Sequence, residues 1–265
     1  MDHKNISLPI YYMGQILDQL DYWQVDSGTW LSEHGLSRDN IRDFNSTIDY
    51  QTFESLIARA VDISGHATLG LKVGQRIGIT THGMMGYAMM NSATLREAIE
   101  VFKEFINTRT PLVTTTLLED NNTLTIEFTK KLNFDVIEQY FFEASMLSLH
   151  NILLQISFNE INILKINFCY PAPKHQASYS DFFKCPIAFK QAKTQLIISN
   201  DRLDAPLSMS DPTSFMQARK ICLQELEKIK NLDSLSQKIK EFIIDSTGHY
   251  PSLEQTAQHF HMSAR

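Results

Sequence analysis

TLREAIEVFKEFINTRTPLVTTTLLEDNNTLTIEF, running from Thr94 to Phe128, changes its hydrophobic period partway along and so sets the class of the fold. In the first part Leu95, Ala98, Ile99, Phe102, Phe105 and Ile106 recur at intervals of three and four, which puts them on one face of an α-helix. Thr94 and Glu97 stand ahead of that face as a capping-box pair, able to satisfy free N–H groups at the helix start. The second part is rich in Thr and β-branched residues. Leu112 to Leu118 and Thr123 to Phe128 flank the turn Glu119-Asp120-Asn121-Asn122, and Leu124, Ile126 and Phe128 fall on one side, the pattern of a β-hairpin.

Downstream, Val136 to Phe158 is the longest apolar stretch, yet Glu138, Gln139, Glu143, His150, Asn151 and Gln155 interrupt it. That is a buried helix, Val136 to Ser157, and not a membrane span. An alternating strand (Ile161 to Cys169), a turn (Tyr170-Pro171-Ala172-Pro173), a short helix near Tyr179 to Phe183 and strands at Ile187 to Phe189 and Gln195 to Ser199 follow. Upstream, Gln15 to Trp23, Gly28 to Gly35 and Tyr50 to Ile63 read as helices, the last ended by Gly65. The expected class is α+β: a helical N-terminal part, then a small mixed sheet with helices packed on it. Glycines at 70, 74, 78, 83 and 86 read as turn residues that relieve crowding, because no strand leads into a G-x-G-x-x-G spacing.

Leu207 to Thr213 reads as a linker. Asp211 and Pro212 suit the start of a helix from Thr213 to Lys230, whose stripe of Phe215, Ala218, Cys222, Leu226 and Ile229 either seams two subunits or docks on its own domain. Leu235, Ile239, Phe242 and Ile243 form a separate amphipathic helix, closed by Gly248 and Pro251. In PSLEQTAQHFHMSAR, Pro251 to Arg265, Ser252 can cap a helix whose Leu253, Ala257 and Phe260 share a face. His261-Met262-Ser263 then supplies a tight turn, an apolar residue for burial and a new cap, the front of a helix-turn-helix. An ordinary helical hairpin is the competing reading.

Composition bounds the function. The 265 residues are 43% apolar and carry 24 basic against 30 acidic side chains, a net charge of −6. A phosphate-neutralising surface wants the opposite sign, and no basic stripe is present. Three cysteines without paired spacing exclude a disulfide framework or zinc ribbon, and the N-terminus lacks a signal pattern, so a cytoplasmic protein is expected. His259 and His261, two apart, point away from each other on a helix, so no metal is expected. No phosphate cradle, nucleophile elbow or metalloprotease helix occurs, which argues against an enzyme and against a cofactor.

A small-molecule pocket fits better. Met85 and Met89, with Met84 and Met90, cluster beside Tyr87, and flexible thioethers suit a cavity that adapts to an apolar ligand, although they suit a core equally. A carboxylate on that ligand would need a cation, for which Arg76, His82 and Arg109 are candidates.

LEQTAQHFHMSAR resembles the first helix-turn-helix of the AraC/XylS family of bacterial transcription regulators. TLGLKVGQRI (Thr68 to Ile77), HGMMGYAMMNSATLREAIEVF (His82 to Phe102), INFCYPAP (Ile166 to Pro173) and DFFKCPIAFKQAKTQLIISNDRLDAPL (Asp181 to Leu207) resemble the ligand-binding domain of one branch of it. The resemblance implies an effector-binding and dimerising domain over 1–205, a linker and connecting helix over 206–230, and a truncated DNA-binding domain over 231–265. It further implies a small-molecule effector, promoter DNA and RNA polymerase as partners of the intact form, a homodimer, and DNA contacts from Ser252, Ser263, Ala264 and Arg265. His261 stands where the family usually has Gly, at a position that tends to need a positive φ. With a second motif missing, this polypeptide is not expected to bind an operator alone. A stand-alone sensor without DNA binding, or a small enzyme, is the alternative.

Overall fold

A short strand, β1 (Ser7–Pro9), opens the chain, followed by a 3-10 turn over Ile10–Tyr12 and helix α1 (Met13–Tyr22). The computed structural model describes residues 6–43, 46–245 and 251–264. Helices α2 (Ser27–Ser32) and α3 (Arg38–Arg42) are short and start at side-chain caps, Asp26 and Ser37. Strand β2 (Thr47–Asp49) pairs antiparallel with β1, and Asp49 then caps α4 (Tyr50–Ser64). Gly65 ends α4 at φ +64, a left-handed conformation that costs glycine little.

The glycine-rich stretch departs from the sequence reading. It holds two helices, α5 (Leu69–Arg76) and α6 (Gly83–Met90), instead of a run of turns. Gly70 and Gly74 lie inside α5, where an added Cβ would fall 2.7 Å from the Tyr140 carbonyl oxygen and 2.8 Å from that of Ala144. The glycines are there so that two helix backbones can touch, a demand that outweighs their poor helix propensity of about 1 kcal/mol.

Helix α7 (Leu95–Phe105) has Thr94 Oγ1 accepting from the Glu97 N–H at 3.2 Å, while the Glu97 carboxylate accepts from the Ala93 N–H at 2.6 Å. Strands β3 (Val113–Glu119) and β4 (Thr123–Lys130) form the expected hairpin in register, with Leu124, Ile126 and Phe128 all buried. Helix α8 (Glu138–Ile156) follows, then β5 (Ile163–Asn167), a 3-10 turn over Gln176–Asp181, β6 (Ile187–Ala188) and β7 (Thr194–Ser199). The five-stranded sheet has the order β3-β4-β7-β5-β6, with β5 and β6 parallel and the other pairs antiparallel. This is an α+β fold. Arg96 of α7 bridges Glu119 at 2.8 Å and Asp204 at 2.7 Å, tying the hairpin tip and the segment after β7 to one helix.

The chain divides into two compact units, Met1–Lys220 and Ile221–Arg265. Helix α9 (Pro212–Asp245) is a single run where the sequence suggested two helices. No Gly or Pro falls between 213 and 245 to stop it. Asp211 caps it, accepting from the Ser214 N–H at 3.1 Å, and Ala218 of its stripe is fully buried.

In the second unit, helix α10 (Leu253–His259) starts at a full capping box formed by Ser252 and Gln255. His261 adopts φ +54, so the position expected to want a positive φ has one. The burial expected for Leu253 and Met262 is absent, since they are 65% and 50% exposed. Thr256 is buried instead, and Phe242 stacks on His259 at 4.0 Å and meets Phe260 edge-on at 5.8 Å. Among the described residues of this unit α10 meets one other helix, through that ring stack. The expected new helix start near Ala264 is not seen, for Met262 to Ala264 carry no regular structure; Gly248 and Arg265 lie outside the described residues.

Candidate functional site

The first unit contains a cavity of ≈ 120 Å³. Its walls come from segments far apart in sequence: Leu8, Pro9, Tyr12, Met13 and Ile16 from the N-terminus, Phe53 and Ile57 from α4, and Leu69, Gly70 and Val73 from α5. Phe102, Ile106, Arg109, Thr110, Val113 and Phe128 come from α7 through the hairpin, and α8 supplies one long face from Tyr140 to Ile152. The size is comparable with engineered apolar cavities of about 150 Å³ that take up benzene. Among the described residues no Asp or Glu lines it, and Arg109 is its one Lys or Arg.

One corner is polar and ordered. The Tyr12 hydroxyl lies 2.9 Å from His82 Nδ1, His82 Nε2 lies 3.2 Å from Ser148 Oγ, and Ser148 Oγ donates to the Ile77 carbonyl at 2.8 Å. A carbonyl oxygen can only accept, so the serine proton is committed to Ile77. His82 Nε2 must then carry its proton as the donor to Ser148, leaving Nδ1 to accept from Tyr12. Burial, helped by the positive charge of Arg109, holds His82 down to about 4, so the ring is neutral at physiological pH. Burial likewise pushes the Tyr12 phenol well above its ordinary value, while Arg109 opposes that rise. Beside Arg109, Thr110 Oγ1 is buried with no hydrogen-bond partner among the described residues.

The Ser148 and His82 pair has the spacing of a nucleophile and its base, but its hydrogen bonds run the wrong way. The imidazole donates to the serine, and its low proton affinity makes it a poor base. The corner suits recognition, not proton abstraction.

Behind the α8 wall sits Glu143, fully buried. Its Oε1 accepts from Gln139 Nε2 at 2.9 Å, His175 Nε2 at 3.0 Å and the Tyr179 hydroxyl at 2.5 Å. Its Oε2 would lie 2.5 Å from a Cβ at Gly70. This network fixes the α5 and α8 crossing that forms two sides of the cavity, and burial with the adjacent carboxylate pushes the Tyr179 hydroxyl far up.

Of the residues singled out from sequence, His82 and Arg109 line the cavity. Met85 and Met89 do not; both are fully buried core of α6. Tyr87 is 41% exposed, and its hydroxyl donates to Ser214 Oγ at 3.2 Å. Arg76 lies outside the lining, its Nε donating to Gln19 Oε1 at 2.7 Å and its guanidinium sitting over the Tyr22 ring. Tyr12, Thr110 and Ser148 went unnoticed. Tyr12 precedes its helix and Thr110 sits between elements, where no periodicity marks a position, whereas Ser148 was legible as a hydroxyl on an otherwise apolar helix face. At the other end of the chain, the Ser252 hydroxyl is engaged in its cap and donates to Glu254 at 2.9 Å. Ser263 and Ala264 are exposed, and Arg265 is outside the described residues. No described helix is long and apolar enough to cross a membrane.

Residues 25–207 match the family model of the arabinose-binding domain of AraC transcription regulators, an N-terminal domain. The chain is 22% identical over 258 residues to the ornithine utilization regulator of Pseudomonas aeruginosa, covering 97% of this chain and 76% of that protein. It is 19% identical over 206 residues to the HTH-type transcriptional regulator VqsM of the same organism, covering 74% of this chain and 62% of that protein. Among solved structures, the transcriptional regulator CdpR from Pseudomonas aeruginosa superposes with a TM-score of 0.58 at 13% identity, over 96% of this chain and 76% of that one. At that identity the likeness speaks for the fold alone.

Proposed function

The chain belongs to the AraC-type transcription regulators that carry an arabinose-binding-type N-terminal domain, and from that premise we propose that it is an effector-responsive regulator whose first unit binds a small, mainly apolar molecule in the cavity beneath α8. The observation that carries this reading is the apolar cavity with one ordered polar corner, the usual form of a small-molecule site. By this reading the effector favours one arrangement of the sensor, and that bias reaches the DNA-contacting part of the protein as a population shift. Promoter DNA, RNA polymerase and a second copy are its partners, and the cytoplasm its place of work. Ser252, Ser263, Ala264 and Arg265 remain the proposed DNA contacts in the second unit.

The name of one relative mentions ornithine, whose two ammonium groups would need anionic or carbonyl partners. Among the described residues no Asp or Glu lines the cavity to meet them, so a different effector is proposed for this chain.

Small molecules extracted from the purified protein and identified by mass spectrometry test the reading. One abundant species is expected, and it should vanish when Ser145→Leu fills the cavity. An identical extract from the filled variant would overturn the assignment.

A further inference from the structure

Resting on the reading of the cavity as an effector site, we infer that helix α6 is the element that carries the state of the cavity to the start of α9, with Tyr87 and Asn91 as its output contacts. Its two ends meet the two places that must be linked. At the N-terminal end His82 is the N-cap of α6 and also the centre of the polar corner, between the Tyr12 hydroxyl at 2.9 Å and Ser148 Oγ at 3.2 Å. At the C-terminal end the Tyr87 hydroxyl donates to Ser214 Oγ in the first turn of α9 at 3.2 Å, and the Asn91 carbonyl accepts from the Asp211 N–H at 3.3 Å. Asp211 is the residue that caps α9. Just beyond, the Ala93 carbonyl accepts from the Leu207 N–H at 2.9 Å, and Thr94 bridges Pro206. The segment leading into α9 is therefore tied to the far end of the helix that begins at the cavity.

The packing around α6 makes it move as one piece. Its 8 residues span about 12 Å at about 1.5 Å each. A Cβ at Gly86 would fall 1.9 Å from the Ile79 carbonyl oxygen, so the backbone of α6 rests directly on the 3-10 turn Ile79–His82 that carries the corner histidine. A ligand pressing on Tyr12 or His82 finds no side chain at that contact to absorb the shift, and the shift passes into the helix. The far end is closed by Asn91 Nδ2 donating to the Tyr87 carbonyl at 2.8 Å and Ser92 Oγ donating to the Ala88 carbonyl at 3.0 Å. Met85 and Met89, fully buried outside the cavity lining, acquire a role here: flexible thioethers repack around a small displacement of the helix without leaving a void.

Hydrogen exchange of the full chain, followed by NMR at single amides, tests this without a ligand. Tyr12→Phe removes one hydroxyl at the cavity end. The Leu207 and Asp211 amides should then exchange about threefold faster or more, while the Ile166 and Phe168 amides, bonded to Pro186 and Ala188, keep their rates. In the other direction, Tyr87→Phe, at an exposed ring, should move the imidazole resonances of His82 and leave in place those of His34, which meets Ser55 outside the cavity lining. Coupled ends must influence each other both ways. Leu207 and Asp211 amides that keep their rates in Tyr12→Phe, or that speed up only together with the sheet amides, would overturn the α6 route and leave the cavity as a ligand site, which the extraction experiment judges separately. Should Tyr12→Phe fail to fold, the Tyr87→Phe spectrum decides, and unmoved His82 signals overturn the route.

Discussion

Phe105, in the cavity-bearing unit, is completely buried, whereas Leu253, opening the last helix of the second unit, is 65% exposed. Both helices were legible from their caps, α7 from Thr94 and Glu97 and α10 from Ser252 and Gln255. Local chemistry therefore places a helix, but how much its apolar face contributes depends on what the rest of the fold brings against it. In the first unit α7 has the hairpin to cover it, down to the edge contact of Phe102 on Phe128 at 6.2 Å. In the second, among the described residues, α10 meets one other helix through the stack of Phe242, His259 and Phe260.

The same substitution in each unit should separate them most widely. Phe105→Ala should destabilise the first unit by about 3–5 kcal/mol, the usual cost of emptying a fully buried aromatic site. Phe260→Ala, at a half-buried ring, should cost the second unit about 1 kcal/mol and leave the main thermal transition unmoved. Scanning calorimetry of both variants checks the pair, and equal losses would erase the distinction.

Next in size is an effect of pH confined to the first unit. His82 has its proton affinity depressed in the fold to about 4, against about 6.5 for a free histidine. Above pH ~6.5 both states are neutral and the stability is full; between about 6.5 and 4 the unfolded chain takes up the proton first, and stability falls as pH falls. Across that window the loss should approach about 3 kcal/mol, measured by urea unfolding at a series of pH values. His82→Asn should flatten that slope, and an unchanged slope would show that other groups carry it.

Gly70→Ala should cost about 1–3 kcal/mol, because the new methyl falls on Glu143 and the Tyr140 backbone. Gly78→Ala, where nothing lies within 4 Å, should be neutral within about 0.5 kcal/mol. Urea midpoints for the two variants measure the contrast. These glycines also mark where sequence reading fell short. Their low helix propensity argued for turns, and only the approach of α8, set by residues seventy positions away, turns that argument round. The hairpin, α7 and α8 could be read because their signals are local and periodic. The cavity could not, because its walls converge from the N-terminus, α4, α5, α7, the hairpin and α8. His82 and Arg109 were accessible to reasoning as polar groups flanking apolar runs; Met85 and Met89 misled because flexible thioethers fill cores as readily as cavities.

The smallest expected change lies in the second unit. His261→Gly relieves a side chain held at φ +54 and should stabilise α10 by a few tenths of a kcal/mol, seen as slower amide exchange over residues 253–259 with no change in the first unit.

Methyl NMR of the methionines tests the central claim most directly. Met13 lines the cavity, Met85 and Met89 are buried away from its lining, and Met262 is exposed in the second unit. On titration with the small molecule extracted from the purified protein, the Met13 methyl resonance should shift in a saturable way, Met85 and Met89 should move little, and Met262 should stay fixed. A Met13 signal that stays in place while another methionine titrates would contradict the cavity as the effector site.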